Sequence, residues 1–218
     1  MGIGTQRLKP KKSSVVLFVG PPLVGKDEMV KHLSDVMTRD DVKGTVRHVS
    51  LESVLRWSPD PLVQERLGEY LPVPQEVVIA IMAEEINMSI GSGAYLTAIN
   101  GYPRTLEQAE NLIAMLQEHK ILYPVCVHMA GTYDLLTKRL QKHLSSKKNA
   151  VAVFDEVMSR WDEYRVACET MIPYLRKRTR FVEVNPEPPE ERKQKPISVF
   201  AEMWALMGHY VTELNYSA

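Results

Sequence analysis

Short apolar runs alternate with longer segments of helical periodicity along the 218-residue chain. Five runs of four or five residues, built largely from β-branched and other apolar side chains, have the length of strands. We predict strands at residues 15–19, 46–49, 95–99, 125–129 and 181–184. Because strands that alternate with helices form parallel sheets covered on both faces, we expect an α/β three-layer sandwich with about five parallel strands.

The segments between the strands place apolar residues three or four positions apart, which is typical of amphipathic helices. We predict helices at residues 26–37, 62–70, 75–88, 106–118, 133–144, 154–177 and 197–213, and a helical turn through Trp57. Residues 58–61 contain two prolines and interrupt the chain before the second helix. Pro173 falls inside the longest helix, where we expect a bend.

The chain divides into a basic flexible tail at residues 1–14, one domain at residues 15–185, and a C-terminal segment at residues 186–218. That segment begins with a proline- and charge-rich linker and ends in the last predicted helix. We expect the apolar face of this helix to pack on the chain's own sheet. The alternative is that part of residues 203–216 stays exposed as a docking surface for another protein. The tail and this helix are then the surfaces that would bind a protein partner.

Bulk composition excludes several classes of protein. Lys and Arg number 27 and Asp and Glu also number 27, so net charge predicts neither a nucleic-acid partner nor an anionic membrane surface. Cys126 and Cys168 are too few for a disulfide framework, and they lack the spacing of zinc ligands. No apolar run reaches the length of a membrane span. We expect an intracellular protein, cytoplasmic or within a large cytoplasmic or organellar assembly.

The first predicted strand runs into a phosphate-binding pattern. Gly20, Gly25 and Lys26 form the frame G-x-x-x-x-G-K, in which backbone N–H groups and the following helix N-terminus bind phosphates. Lys26 would reach the outer phosphates as a point charge. The pattern normally continues with Ser or Thr, which holds magnesium, but this chain has Asp27 and then Glu28. We therefore predict a nucleotide site in which two carboxylates oppose the phosphates.

Two arginines follow other predicted strands. Arg56 closes the segment 50–56, and Arg104 lies in the segment 100–105. Carboxyl ends of parallel strands meet at one edge of a sheet, so both guanidinium groups could point into the phosphate cleft. The alternative is that both arginines are partners in structural ion pairs.

In order and spacing, these three segments resemble adenylate kinases and related nucleoside monophosphate kinases over residues 15–185. Residues 101–105, Gly-Tyr-Pro-Arg-Thr, are similar to the Gly-Phe-Pro-Arg-Thr signature of that family. The resemblance implies a monophosphate-binding segment at about residues 50–89 and a short lid at about 144–153, without zinc cysteines. It also implies Mg-ATP as the phosphoryl donor.

The resemblance also implies roles for single residues. Arg56 and Arg104 would hold the phosphate of AMP, and Gln108 would contact its adenine. Arg139 would pack on the ATP base, and Arg160 lies on the helix that follows the lid. In an active enzyme, Lys26 would join Arg104, Arg139 and Arg160 as the catalytic cations.

Several positions depart from the family pattern, and most of them remove a cation or a magnesium ligand, or add a carboxylate. They are Leu23, Asp27, Glu28, Leu51, Glu52, Ser53, Asn100, His143 and residues 149–152. Phosphoryl transfer depends on positioning and on cancelling charge. We therefore favour a protein with weakened or lost phosphotransfer and weak Mg-ATP binding, kept as a structural or binding subunit of a larger assembly. It would bind a nucleoside monophosphate or another anion. The alternative is an active kinase that transfers phosphate from ATP to AMP or a related monophosphate.

Overall fold

The computed structural model describes residues 14–39, 45–69, 71–144, 150–186, 199–201 and 203–205. Its centre is a parallel sheet of five strands in the order β2-β3-β1-β4-β5. The strands are β1 (Ser14–Val19), β2 (Val46–Ser50), β3 (Leu96–Asn100), β4 (Val125–Met129) and β5 (Arg180–Val184). The predicted α/β sandwich with five parallel strands is confirmed.

Seven helices are described in full. They are α1 (Lys26–Arg39), α2 (Leu51–Arg56), α3 (Pro61–Gly68), α4 (Gln75–Gly91), α5 (Leu106–Glu118), α6 (Tyr133–Leu144) and α7 (Ala150–Arg178). Local sequence explains where two of them begin. The Asp60 side chain accepts a hydrogen bond from the backbone of Leu62, and Pro61 occupies the first turn of α3. The Thr105 side chain caps α5 in the same way, accepting from Gln108.

Alternate residues of β1 face opposite sides of the sheet and divide the core into two layers. Val16 and Phe18 pack with α1 on one side. Val15, Leu17 and Val19 pack on the other side with the apolar faces of α4, α5 and α7. All five side chains are buried, so every position of this strand after Ser14 contributes to a core.

Part of the C-terminal segment covers the α1 layer. Phe200 is buried, and its ring centroid lies 5.4 Å from that of His32 and 6.1 Å from that of Trp204. Met203 is 0% exposed. In the described residues the apolar face therefore packs on the chain's own core. Ile197 and residues 206–216, like the tail at 1–13, lie outside the described residues.

Some boundaries differ from the predicted ones. The strand β3 ends at Asn100 rather than one residue earlier. The last residue of this strand, which lies between β2 and β1, is therefore polar. The helix α7 begins at Ala150, so it includes the last four residues of the predicted lid, and it contains Pro173. Residues 145–149 lie outside the described part. Within the described ranges, no helix has both the length and the apolar character that crossing a membrane requires.

Candidate functional site

A cavity of about 860 Å³ opens where the central strands end. Val19 of β1, Asn100 of β3 and Met129 of β4 line it from the sheet. Helices α6 and α7 line it from the opposite side, through side chains that include Arg139 and Arg160. Ligands of open parallel sheets bind at this edge, so the cavity lies where the fold predicts a functional site.

The loop between β1 and α1 has positions at which the backbone geometry favours glycine. A Cβ atom on Gly20 would lie 2.8 Å from the carbonyl oxygen of Met129, so the close approach of β4 requires glycine there. Gly25 has φ +98°, which also favours glycine. Leu23 has φ 57° and therefore adopts the left-handed conformation with a branched side chain. At this loop position the family pattern that the sequence resembles has glycine.

Lys26 is turned back onto its own loop. Its Nζ donates to the carbonyl oxygen of Gly20 at 2.9 Å and to that of Pro21 at 2.6 Å. Burial, and after it the charge of Arg104, lowers the pKa of Lys26 to about 8, while the carboxylates of Asp27 and Glu28 oppose the shift. The ammonium group is therefore held inside the loop, where an incoming phosphate would compete with the two carbonyls.

Arg104 is held from two sides. Its Nε donates to the carbonyl oxygen of Gly101 at 3.0 Å, and its backbone N–H donates to Oε1 of Gln108 at 2.7 Å. Gln108 itself is buried at the start of α5. The strand end and the helix start thus fix where the guanidinium enters the cavity.

Three cations converge in the cavity and oppose one another's charge. These cations are Lys26, Arg104 and Arg160. Burial lowers the pKa of Arg104, and the positive charge of Arg160 lowers it further. In the same way, the positive charge of Arg104 contributes to the lowered pKa of Lys26. Glu52 and Glu163 act in the opposite direction on Arg104. Like charges at short range are favourable only when an anion joins them, so this arrangement suits a ligand with several negative charges.

Arg139 connects α6 to the phosphate loop. One terminal nitrogen donates to the carbonyl oxygen of Leu23 at 2.9 Å and the other to that of Pro186 at 3.2 Å. Lys142, one turn further along α6, also lines the cavity. The helix thus supplies two cations on one face and ties the loop to the chain that follows β5.

The two carboxylates after Lys26 have different surroundings. Oδ1 of Asp27 accepts a hydrogen bond of 2.6 Å from Nδ2 of Asn100, so Asp27 is directed toward the end of β3. Glu28 lies over the loop itself, since its Oε2 is 3.6 Å from the place that a Cβ atom on Gly25 would take. Both residues line the cavity. Negative charge is therefore built into the place where phosphates are expected.

The sequence is similar to adenylate kinases along most of its length. It is 25% identical to the adenylate kinase of Cyanothece sp. over 182 residues, which are 81% of this chain and 88% of that protein. It is 24% identical to the adenylate kinase of a Synechococcus species over 189 residues, 86% of this chain and 95% of the relative. These similarities support a relationship to the P-loop nucleoside monophosphate kinases.

The fold agrees with this relationship, although no family model matches the chain. A gluconokinase from Sinorhizobium meliloti 1021 superposes with a TM-score of 0.60 at 13% identity, covering 95% of this chain and 98% of the gluconokinase. At that identity the likeness shows only the shared fold.

Six of the residues that the sequence predicts for the nucleotide site line the cavity: Gly20, Gly25, Lys26, Arg104, Arg139 and Arg160. Two others do not. Arg56 forms an ion pair with Glu52 along α2 and leaves 64% of its side chain exposed. Gln108 is not among the residues that line the cavity, and its side chain accepts a hydrogen bond from the backbone N–H of Arg104. The roles proposed for Arg56 and Gln108 in binding AMP stay predictions, and the side chain of His143 lies outside the described residues.

The structure adds cavity residues that sequence reasoning missed. Lys142 lies three positions after Arg139, and Glu163 and Tyr164 lie three and four positions after Arg160. Helical spacing was the available signal, because residues three or four apart share a helix face. Among the described residues, no group of three or more His, Cys, Asp or Glu side chains is arranged to hold a metal ion.

Proposed function

We propose that this chain binds phosphorylated nucleotides in the cavity and transfers phosphoryl groups much more slowly than the adenylate kinases it resembles. Its main role would then be that of a binding or structural subunit in a larger assembly. The observation that carries the proposal is the composition of one cavity. Five cations line it, namely Lys26, Arg104, Arg139, Lys142 and Arg160, together with the carboxylates Asp27, Glu28, Glu52 and Glu163.

The cations support nucleotide binding. Lys26 belongs to a loop of the phosphate-binding type, and it lines the same cavity as Arg104, whose positive charge contributes to the lowered pKa of Lys26. A phosphate between them would relieve that repulsion and replace the two carbonyl contacts of Lys26. The nucleotide kinase relatives make a nucleotide the natural ligand to test first.

The carboxylates support slow transfer. A carboxylate about 5 Å from a phosphate costs roughly 3 kcal/mol at an effective dielectric constant of about 20. Glu28 lies over the loop, with its Oε2 3.6 Å from the place that a Cβ atom on Gly25 would take. Mg-ATP would therefore bind weakly, and the charge that develops in transfer would meet carboxylates as well as cations.

The second candidate is an active nucleoside monophosphate kinase that uses ATP and AMP or a related monophosphate. The observation that favours it is the retained set of catalytic cations, because Lys26, Arg104, Arg139 and Arg160 all face the same cavity. Related proteins are named as kinases, which makes this reaction the one to measure.

A coupled assay of ADP production from ATP, magnesium and AMP separates the two candidates. The proposal predicts negligible turnover, whereas a turnover on the order of 10 s⁻¹, ordinary for such kinases, supports the active enzyme and overturns the proposal. Isothermal titration then tests binding, and failure to bind AMP, ADP and ATP at millimolar concentration would contradict both candidates.

A single variant tests the electrostatic cause. Glu28→Gln removes the carboxylate that lies over the loop, and we expect ATP to bind roughly tenfold tighter or more, given the repulsion of about 3 kcal/mol. Asp35→Asn makes the same charge change further along α1, outside the residues that line the cavity, and should leave ATP affinity unchanged.

A further inference from the structure

A chain of hydrogen-bonding side chains runs from the wall of the cavity to the exposed surface of the molecule. Tyr164 of α7 lines the cavity and is half-buried. Its hydroxyl oxygen lies 2.8 Å from Nε2 of His128, which is on β4 and is not among the residues that line the cavity. Nδ1 of His128 lies 3.4 Å from Oε2 of Glu183, and Arg176 donates to the same oxygen at 2.8 Å. A residue behind the cavity wall is therefore connected to one that forms the wall.

The fold brings these four side chains together from three elements. His128 and Glu183 are opposite one another in the parallel pairing of β4 with β5, so their side chains leave the same face of the sheet. Tyr164 and Arg176 both lie on α7, twelve positions apart, and this helix covers that face. The two strand residues therefore contact α7 at two points, and one of these points is the cavity residue Tyr164.

The charge of Glu183 determines where the protons of this network lie. Burial opposes its ionisation, but hydrogen bonds from His128 and Arg176 outweigh that effect, and the pKa of Glu183 is lowered. An ionised carboxylate only accepts hydrogen bonds, so Nδ1 of a neutral His128 carries the ring proton and Nε2 accepts from the Tyr164 hydroxyl. Burial lowers the pKa of His128, and the contacts with Glu183 oppose that shift while the charge of Arg176 adds to it. At neutral pH the phenol proton is therefore held by His128 and does not serve a ligand.

Protonation of His128 reverses the direction of one of these hydrogen bonds. Both ring nitrogens are then donors, so Nε2–H donates to the Tyr164 oxygen and the phenol proton needs another acceptor. The thiol of Cys168, one turn further along α7, is within hydrogen-bond reach of Tyr164 but is a weak acceptor. The buried thiol of Cys126 offers no ionised acceptor, because burial raises its pKa to about 12. The remaining direction is the cavity, where a phosphate oxygen is a strong acceptor.

We propose that Tyr164 donates a hydrogen bond to a phosphate bound in the cavity once His128 has taken up a proton, so that His128 is a positioning residue for ligand binding. The inference rests on the proposed nucleotide binding. In the complex the phosphate accepts the phenol proton, Nε2–H satisfies the phenol oxygen, and Nδ1–H stays on Glu183. A ligand that favours the protonated form of His128 must raise the pKa of that ring, and its affinity must rise as the pH falls through that pKa.

Isothermal titration of the full chain with ADP in EDTA, at about pH 5.5 and about pH 7.5, measures this linkage. The phosphate of ADP titrates in the same range, so each affinity is divided by that of Tyr164→Phe at the same pH, which cancels the titration of the ligand. We expect the ratio to be about fivefold at the lower pH and within about twofold of unity at the higher pH. A Tyr164 that only packs in the cavity wall would give the same ratio at both pH values.

Two histidine variants assign the proton. His128→Gln keeps an amide donor for the Tyr164 oxygen but does not titrate, so its affinity relative to Tyr164→Phe should be the same at both pH values. His119→Gln removes an exposed ring that contacts Asn87 outside the residues lining the cavity, and it should retain the pH dependence of the natural chain. NMR of the histidine ring protons gives an independent readout, since the pKa of His128 should rise when ADP binds.

The outcomes separate this inference from the function on which it rests. Failure of the natural chain to bind ADP at either pH contradicts the proposed function and this inference with it. ADP binding with an equal ratio at both pH values, or with an unchanged pKa of His128, overturns the inference alone, as does a His128→Gln variant that keeps the natural pH dependence. If Tyr164→Phe fails to fold, His128→Gln becomes the reference: a ratio that changes between the two pH values supports the role of His128, and a constant ratio overturns it.

Discussion

Leu23 shows how a single residue departs from what its backbone conformation favours. Its φ of 57° lies in the left-handed region, where L-residues other than Asn, Asp and His are uncommon. The carbonyl oxygen of Leu23 accepts from Arg139, which helps to hold the loop in this conformation. The strain is therefore sustained by a contact from α6 and not by the loop's own sequence.

Two variants at position 23 measure that strain. Leu23→Gly and Leu23→Ala both remove the leucine side chain, but only glycine tolerates the positive φ. We expect the glycine variant to be the more stable by roughly 0.5–1 kcal/mol, because the left-handed cost of about 1–2 kcal/mol exceeds the extra unfolded-state entropy of glycine. Urea denaturation of both variants provides the comparison. Equal stabilities would mean that the left-handed backbone costs the loop nothing.

Lys26 makes nucleotide affinity depend on pH at the scale of one side chain. Its lowered pKa of about 8 means that the amine is mostly protonated at pH 7 and mostly neutral at pH 9. ADP affinity should therefore fall as pH rises, by roughly tenfold at pH 9, as the charge is lost. Titration calorimetry at the two pH values tests this. In Lys26→Arg, whose guanidinium stays charged, the fall should disappear, and an equal fall would assign it to another group.

At the scale of elements, the helix α2 carries Arg56 on its exposed face, outside the residues that line the cavity. Glu52 lines the cavity, while Arg56, one turn later, pairs with it on the exposed face of the helix. Exposed pairs of this spacing contribute about 0.3–0.5 kcal/mol, so the contact is easily exchanged for another partner. The pair thus lowers the positive charge offered to a monophosphate without fixing α2 in place.

Removing the carboxylate should change ligand affinity more than stability. In Glu52→Gln the guanidinium of Arg56 loses its partner and the cavity loses a negative charge. We expect AMP to bind roughly threefold to tenfold tighter, because an opposing charge near phosphate costs up to a few kcal/mol in a partly screened site. Calorimetric titration with AMP tests this. Glu65→Gln on the exposed face of α3 is the matched control, and a similar gain there would indicate a general charge effect.

At the scale of the whole molecule, the C-terminal segment contributes to the core. Val199, Phe200 and Met203 join the cluster between the sheet and α1, and Val199 also lines the cavity. These three residues therefore support the layer that carries the phosphate loop, and removing their side chains should destabilise the entire fold.

Phe200→Ala tests this packing. Truncation of a buried phenylalanine costs about 3–5 kcal/mol of unfolding free energy, and we expect a loss in that range by chemical denaturation. Tyr123→Ala removes an aromatic side chain that is 59% exposed and should change stability by less than about 0.5 kcal/mol. A Phe200→Ala variant as stable as the control would show that the segment does not pack on α1 in solution.

The sequence by itself determined the sheet, the layers and most of the cavity. Apolar runs such as residues 15–19 and 125–129 are buried on both faces, so their composition alone marks them as central strands. Gly20, Gly25 and Lys26 are adjacent in the chain, and the geometry that such a loop adopts is local. Arg104 lies four residues after the end of β3, so its position near this edge of the sheet could be predicted from the strand.

The tertiary structure decided the contacts between residues that are distant in the sequence. Nothing in the separate positions of Asp27 and Asn100 indicates that they pair, since the contact depends on β3 lying beside β1. Arg56 is not among the residues that line the cavity, and it pairs with Glu52 one helical turn earlier. Arg139 is fixed by carbonyl groups of two distant segments. Local patterns determine which backbone a segment adopts, whereas the direction of a charged side chain depends on the charges and hydrogen-bond partners that the complete fold brings within its reach.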